Sequence, residues 1–258
     1  MPLAVVTGAS GGIGLELARL AARDRHDLLL VARNGDRLAE VARELSAAHG
    51  VSARPVQADL ADPAGVPTVL DALGDAPVDV LVNNAGVGGV GRFAIERELD
   101  DDLAMIQLDV TALVHLTGRL LPGMVARRRG GILNVASTAG FSPGPLQAVY
   151  YASKAFVRTF SEALTEELRS TGVRVTALCP GPVDTGFAAR AGLRDSWLMR
   201  LPMIKVPARQ VAATGWSGLA AGRAVVVPGL PMQVAMQGLR ITPRRLAARI
   251  AEVSHQRR

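Results

Sequence analysis

The sequence predicts a three-layer, doubly wound α/β fold: a single domain of about seven parallel strands with helices on both faces. Three observations predict it. Short runs rich in Val, Leu and Ala alternate with longer segments of helical period along most of the chain. Hydrophobic residues make up 49% of the 258 residues and aromatics only 3%, which suits strands buried on both faces by aliphatic side chains. The first strand runs directly into a glycine-rich turn that opens a helix.

The elements follow in order. Residues 5–7 are apolar and β-branched and form the first strand, and 13–22 carry the first helical period. Residues 28–31 are a second buried strand, and 37–48 a helix with Leu38, Val41, Ala42 and Leu45 on one face. Strand 53–58, helix 64–73, whose start Pro67 blurs, and strand 78–82 come next. A longer helix sets Leu103, Ile106, Val110, Leu113, Leu116 and Leu120 on its apolar side and is expected to weaken or end at Pro122 and Gly123. Strand 131–136, helix 149–169, strand 172–178, helix 211–221 and strand 223–227 complete the alternation. Parallel strands need crossovers, and right-handed crossovers leave a ligand crevice at the strand C-termini. Two segments stand outside: 186–207, long for a strand-to-helix connection, and 228–258, a C-terminal extension.

Composition narrows the classes. No run of about 18 uncharged apolar residues occurs, so no membrane span is expected. The first eight residues read as a strand entering a turn, not as a signal peptide. Cys179 is the lone cysteine, which excludes an internal disulfide, fits a cytoplasmic setting and reads as a buried structural thiol. Of the net charge of +6, five units sit in residues 240–258, where six arginines face one acid, Glu252. A nearly neutral body lacks the basic stripe of a nucleic-acid enzyme. Arg127, Arg128 and Arg129 read as a solvated turn, and His26, His49, His115 and His255 show no metal-ligand spacing, so no metal is assigned.

The turn Thr7-Gly8-Ala9-Ser10-Gly11-Gly12-Ile13-Gly14 would present helix N-terminal amides to a phosphate. It does not meet the general G-x-G-x-x-G spacing, since Leu17 stands where the third glycine would be. A tight turn without a ligand therefore stays open on this segment alone. Four further stretches follow in order: Asn83-Asn84-Ala85-Gly86, Ser137, Tyr150-x-x-x-Lys154 thirteen residues beyond Ser137, and Pro180-Gly181 with Thr185. Together, over about residues 2–227, they resemble the short-chain dehydrogenase/reductase family. The resemblance implies a Rossmann-type dinucleotide-binding domain spanning 1–258, an NAD(P)-dependent oxidoreductase interconverting an alcohol and a carbonyl. It implies cofactor contacts at Gly8, Ser10, Gly12, Ile13 and Gly14 in the turn, and at Asn84, Ala85 and Gly86 after the fourth strand. Pro180, Gly181, Val183 and Thr185 after the sixth strand, with Tyr150 and Lys154, complete that set.

The chemistry explains the residue types. Tyr150 and Lys154 share a helix face. The chain has 27 arginines and only two lysines, Lys154 and Lys205, and its two tyrosines are Tyr150 and Tyr151. Reduction of a carbonyl needs a hydride on carbon and a proton on oxygen. A free phenol titrates near about 10, and an ammonium within about 4–6 Å favours the phenolate by roughly one to three units. That predicts a Tyr150 tuned toward acid–base work, with Ser137 hydrogen-bonding the carbonyl oxygen. The resemblance implies the same roles and gives Lys154 a second one, holding the nicotinamide ribose. Where the family usually has an asparagine supporting a proton-relay water, this chain has Asp109, read as either a functional variant or an altered relay.

At the end of the second strand, NAD enzymes commonly place a carboxylate for the ribose hydroxyls. Here Ala32 stands there, followed by Arg33, which favours NADP(H) through a 2′-phosphate contact and leaves NAD(H) possible. Asp59-Leu60 resembles the family's adenine-contacting pair, with an aspartate capping the next helix as an equal reading. The 186–207 segment, with Phe187, Leu193, Trp197, Leu198, Met199, Leu201, Met203 and Ile204, is the expected substrate lid and suggests an apolar substrate. Simple packing on the body is its other reading, and Arg190, Arg194, Arg200 and Lys205 could admit an anionic group or face water. Family members often pair the 149–169 helix across a two-fold axis, so a homodimer or homotetramer is expected, with Phe156, Phe160 and Leu164 at spacings of four and Val157 and Leu168 nearby; packing of these residues within the subunit alone is the other reading. For the basic tail, docking on its own body or a sister subunit is preferred to contact with a membrane surface through Leu246, Ile250 and Val253.

Overall fold

In a computed structural model of the chain, described for residues 1–183, 185–192 and 205–255, seven strands form one parallel sheet. They are β1 (Leu3–Thr7), β2 (Asp27–Ala32), β3 (Ala53–Gln57), β4 (Val80–Asn83), β5 (Gly130–Val135), β6 (Val173–Leu178) and β7 (Val225–Val226). Their order is β3-β2-β1-β4-β5-β6-β7. The order reverses between β1 and β4, and a crevice opens there at the strand C-termini.

Helices α1 (Gly12–Arg23), α2 (Gly35–His49) and α8 (Ala208–Ala220) cover one face; α3 (Gly65–Leu73), α5 (Ala112–Ala126) and α6 (Ala148–Glu167) cover the other. Strand alternation decides which side chain serves which layer. In β1, Ala4 and Val6 pack with Leu17, Leu38 and Val211, whereas Val5 packs with Val69, Leu116 and Leu164. The single aliphatic core divided by a sheet is the arrangement the composition predicts.

The segment expected as one long helix is broken in two. α4 (Leu99–Ile106) passes through a π-helical turn, Gln107–Thr111, before α5 begins, and the amide of Ala112 bonds back to the Gln107 carbonyl. Its apolar side also differs from the expected one. In α4 the buried residues are Asp102 and Met105, while Leu103 and Ile106 are exposed. Asp102 is drawn inward by Arg97, whose guanidinium donates to Oδ1 at 2.8 and 3.1 Å. Nor does the helix stop at Pro122; α5 continues to Ala126. The fully buried Met124, over which a Cβ on Gly130 would come within 2.7 Å, holds the last turn in place.

The three arginines at 127–129 are solvent-facing but not idle. Arg127 donates to the Val78 carbonyl, Arg128 to the Ser170 carbonyl, and Arg129 to the Asp79 carboxylate, tying the strand entries together. The thiol of Cys179 is buried, and burial pushes it up to about 12. After β6 come α7 (Gly186–Arg190), α8, and two C-terminal helices, α9 (Leu230–Ile241) and α10 (Arg244–His255). No helix among the described residues is long and apolar enough to cross a membrane.

Candidate active site

The crevice holds a cavity of about 690 Å³, within the usual range for small-molecule sites, roughly 300–1,000 Å³. One end lies over the β1–α1 turn. Gly11 caps α1 without a side-chain hydrogen bond, and the first turn carries no acid. Gly11, Gly12 and Ile13 at this helix start line the cavity, where the unpaired amides of a helix N-terminus carry partial positive charge. Among the described residues, a Cβ on Gly11 would meet nothing within 4 Å, and Gly12 has φ +57°, so backbone is exposed where a pyrophosphate would lie. These features fit a dinucleotide.

Gly8, Ser10, Gly12, Ile13, Asn84, Ala85, Gly86, Pro180, Gly181, Val183 and Thr185 all line the cavity, as do Arg33, Asp59 and Leu60. Gly14 does not. A Cβ there would collide with the Gly8 carbonyl oxygen and the Asn84 side-chain amide, so this glycine permits close packing of helix on turn. Asn84 is equally structural: its amide donates to the Thr7 carbonyl at 2.9 Å and the Gly8 carbonyl at 3.3 Å. The Thr7 hydroxyl accepts the backbone amides of Asn84 and Ala85 at 2.9 and 3.0 Å and donates to the Val82 carbonyl.

At the end of β2, the Arg33 guanidinium lies 3.9 Å from the Asp59 carboxylate. Asp59 also accepts the Ala61 amide in a local turn, and α3 starts only at Gly65, so it does not cap that helix. Arg37, which the sequence reading passed over, lines the same end from the first turn of α2 and is held by Glu40 at 2.8 Å. Asn34 accepting the Arg37 amide marks that helix start and was the available signal.

The other end is the reaction centre. Ser137 follows β5 and caps the short 3-10 turn Thr138–Phe141 by accepting the Ala139 amide at 3.1 Å. α6 supplies Tyr150 and Lys154, one turn apart, both buried. The Ser137 hydroxyl lies beside the Tyr150 phenol and acts to lower its titration, and the Lys154 ammonium lies 5.7 Å from the Tyr150 ring centroid. Asp109 sits behind the lysine and does not line the cavity. Its Oδ2 is 3.0 Å from Lys154 Nζ, and its Oδ1 accepts the Val87 amide at 3.0 Å. A Cβ on Gly86 would lie 3.1 Å from both Asp109 Oδ1 and Lys154 Nζ, so this glycine lets the loop close over the pair.

Burial dominates the electrostatics. It pushes the Tyr150 phenol up; Lys154 and Ser137 pull it down, Asp109 adds to the rise, and the net direction is up. The downward tuning expected from Lys154 alone is thus outweighed, although the lysine does act more strongly on the phenol than Asp109 does. Burial would lower Lys154, but Asp109 and Tyr150 outweigh it and hold the ammonium above its ordinary value. Burial raises the Asp109 carboxyl against the pull of Lys154 and the Val87 amide.

Gln147 at the start of α6 is buried and lines the cavity beside Tyr150, Tyr151 and Phe187. No motif marks it, though its place three residues before Tyr150 puts it on the same side of the helix. Phe187 tilts toward Tyr150 with ring centroids 5.7 Å apart. The remaining apolar lid residues, Leu193 to Ile204, with Arg194 and Arg200, lie outside the described residues, as do Arg257 and Arg258. Among the described residues no cluster of His, Cys, Asp or Glu could hold a metal ion.

Residues 2–195 match the short chain dehydrogenase family model. The very-long-chain 3-oxoacyl-CoA reductase of Laccaria bicolor is 39% identical over 178 residues, covering 68% of this chain and 53% of that protein; the chain thus spans about half the length of that relative. The NADP-dependent 3-hydroxy acid dehydrogenase of Schizosaccharomyces pombe is 34% identical over 71% of this chain and 72% of that protein. Among solved structures, a short-chain dehydrogenase from Sphingobium yanoikuyae in complex with NADPH superposes with a TM-score of 0.82 at 34% identity, covering 95% of this chain and 97% of that one. The chain belongs to the short-chain dehydrogenase/reductase family, and is an NAD(P)-dependent oxidoreductase acting on alcohols and carbonyls.

Proposed function

We propose that this enzyme uses NADP(H) in preference to NAD(H), and that Tyr150 exchanges the proton with the oxygen of an apolar alcohol or carbonyl. The observation that carries the reading is the convergence of Ser137, Tyr150 and Lys154 on one end of a cavity whose other end is an uncapped helix start. The cofactor, when bound, supplies or accepts the hydride. Ser137, already within hydrogen-bond reach of the phenol, orients the substrate oxygen and favours the negative charge that grows on it. Tyr150 donates the proton in reduction and removes it in oxidation. Lys154 keeps its charge against burial because Asp109 stands directly behind it, leaving the cavity side of the ammonium for the phenol and the ribose. Asp109 is then a positioning residue that takes the place of a relay asparagine.

Arg33 supports the cofactor preference, since it lines the cavity and its ion-pair partner among the described residues, Asp59, is exposed and 3.9 Å away. Phe187, Tyr151 and the buried Gln147 support a largely apolar substrate with one polar contact. An NADPH titration, followed by NADPH oxidation against a panel of alkyl, aryl and charged carbonyls, tests the reading; turnover confined to charged carbonyls would overturn the apolar assignment.

A homodimer or homotetramer is proposed through the outer face of α4 and α6. Leu99, Leu103, Ile106 and Phe156 are exposed there, and Phe156 stacks on Phe160 at 5.7 Å. Val157, Leu164 and Leu168 are buried within the subunit and are not part of that contact. Light scattering that shows monomers at micromolar concentration would remove this assembly.

A further inference from the structure

A helix packed on a protein body usually turns its large apolar side chains inward. α10 does the reverse. Its buried residues are small, Ala247, Ala251 and Ser254. Its large apolar residues, Leu246, Ile250 and Val253, follow one another at spacings of four and three, so they share a face, and each is more than half exposed. Arg245 and Arg249 flank that stripe on the side away from the body, and Arg244 opens the helix; all three are exposed. Among the described residues no carboxylate forms an ion pair with any of them. α9 repeats the apolar half of the pattern: Met232 and Met236 face inward, while Leu230, Val234 and Ile241 are 71%, 66% and 88% exposed.

We propose that this surface docks on an anionic lipid bilayer. Leu246, Ile250 and Val253 enter the headgroup boundary, and Arg245 and Arg249 meet the lipid phosphates, the pairing that an amphipathic cationic helix makes with such a surface. A second copy of the chain fits less well. A two-fold contact on this stripe would bring the arginines of both copies to one interface, with Glu252 the lone acid of α10 to offset them. The location gives docking a purpose. Ala251 packs in one cluster with Met105, Ala139, Tyr150 and Tyr151, so the docked helix lies against the reaction-centre end of the cleft. An apolar substrate of the kind proposed above would then move between bilayer and cleft along a short path.

The test is co-sedimentation of the full chain with vesicles of mixed phosphatidylglycerol and phosphatidylcholine, against vesicles of phosphatidylcholine alone. The expected result is binding to the anionic vesicles that weakens as salt rises. The Arg245→Gln, Arg249→Gln double variant should bind about 5-fold more weakly per arginine removed. The Ile250→Ser, Val253→Ser variant should lose binding while turning over a water-soluble carbonyl as before, which shows an intact fold and keeps this test separate from the catalytic reading. Failure to bind anionic vesicles, or undiminished binding by both variants, would overturn the proposal. So would a loss of subunit association in the Ile250→Ser, Val253→Ser variant without any vesicle binding by the unchanged chain, which would assign the stripe to a second copy.

Discussion

Each end of the cleft is backed by an ion pair, Lys154 with Asp109 at one and Arg33 with Asp59 at the other, and the two pairs are built for opposite purposes. At the reaction centre, Lys154 and Asp109 are 3.0 Å apart with side-chain exposures of 6% and 0%. At the adenosine end, Arg33 and Asp59 are 3.9 Å apart with exposures of 59% and 46%. The buried pair is isolated from solvent and cannot exchange partners without leaving a bare charge in a low-dielectric site. The exposed pair is screened by water and contributes little to folding, so its arginine is available to a better anion. One end of the cleft fixes its charges before any ligand arrives; the other keeps a charge ready to be claimed.

Measurements at Tyr150, Asp109, Arg33 and Gly11 sharpen or break that contrast. Tyr150→Phe should show the largest effect, lowering turnover by about 10²–10⁴-fold, the scale of general acid–base catalysis, while NADPH binding followed by fluorescence stays nearly constant. If Tyr151→Phe instead abolished activity and Tyr150→Phe did not, the reaction centre would have to be redrawn around Tyr151. Because burial raises the Tyr150 phenol, it is protonated throughout the neutral range. Carbonyl reduction should therefore be flat with pH there, and alcohol oxidation, which needs the phenolate, should rise steadily toward alkaline pH.

Asp109→Leu comes next. It leaves Lys154 buried without its partner, a change that costs about 3–5 kcal/mol, so the denaturation midpoint should fall and kcat should drop more than KM rises. Asp109→Asn can still accept the Val87 amide and should remain active. An Asp109→Leu enzyme with an unchanged pH–rate profile would show that the carboxylate has no hold on the reaction centre.

Arg33→Ala tests the open pair. A charge-assisted contact to a 2′-phosphate contributes about 1.5–3 kcal/mol, so the variant should lose NADPH affinity by roughly 10- to 100-fold and leave NADH affinity almost unaltered. Equal NADPH and NADH affinities in the unchanged enzyme would sink the NADP(H) assignment. The smallest effect is expected at Gly11→Ala. Its Cβ would enter open space, and stability should change by less than about 0.5 kcal/mol; a large loss in thermal unfolding would mean that the turn is packed and not open to a ligand.

The strand–helix alternation and the glycine turn were legible in the sequence because both are local: period and turn chemistry lie within a few residues of each other. The Tyr150–Lys154 pair was legible for the same reason, being one helical turn apart. What could not be read depends on contacts between distant segments. The π-helical turn that carries Asp109 is announced by no residue pattern, and only the resemblance, not any local spacing, sets Asp109 against Lys154, 45 positions later in the chain. The exposure of Leu103 and Ile106 follows from Arg97 drawing Asp102 inward, a polar pairing that periodicity does not register. Arg127, Arg128 and Arg129 looked like a plain solvated run, since their acceptors, Val78, Ser170 and Asp79, lie in other segments. The net rise of the Tyr150 phenol depends on how deeply it is buried, which the Tyr–Lys spacing alone does not reveal.

A single hydroxyl at the strand-order reversal has a consequence for motion. Thr7 Oγ1 accepts the amides of Asn84 and Ala85 and donates to the Val82 carbonyl, so the β1–β4 pairing, which ends at Val6 and Val82, is carried by a side chain into the loop beyond it. The amides of Asn84 and Ala85 exchange with solvent deuterium only when this hydroxyl lets go of them, so these two loop amides at the mouth of the cleft should be protected together, and Thr7→Val should release both at once.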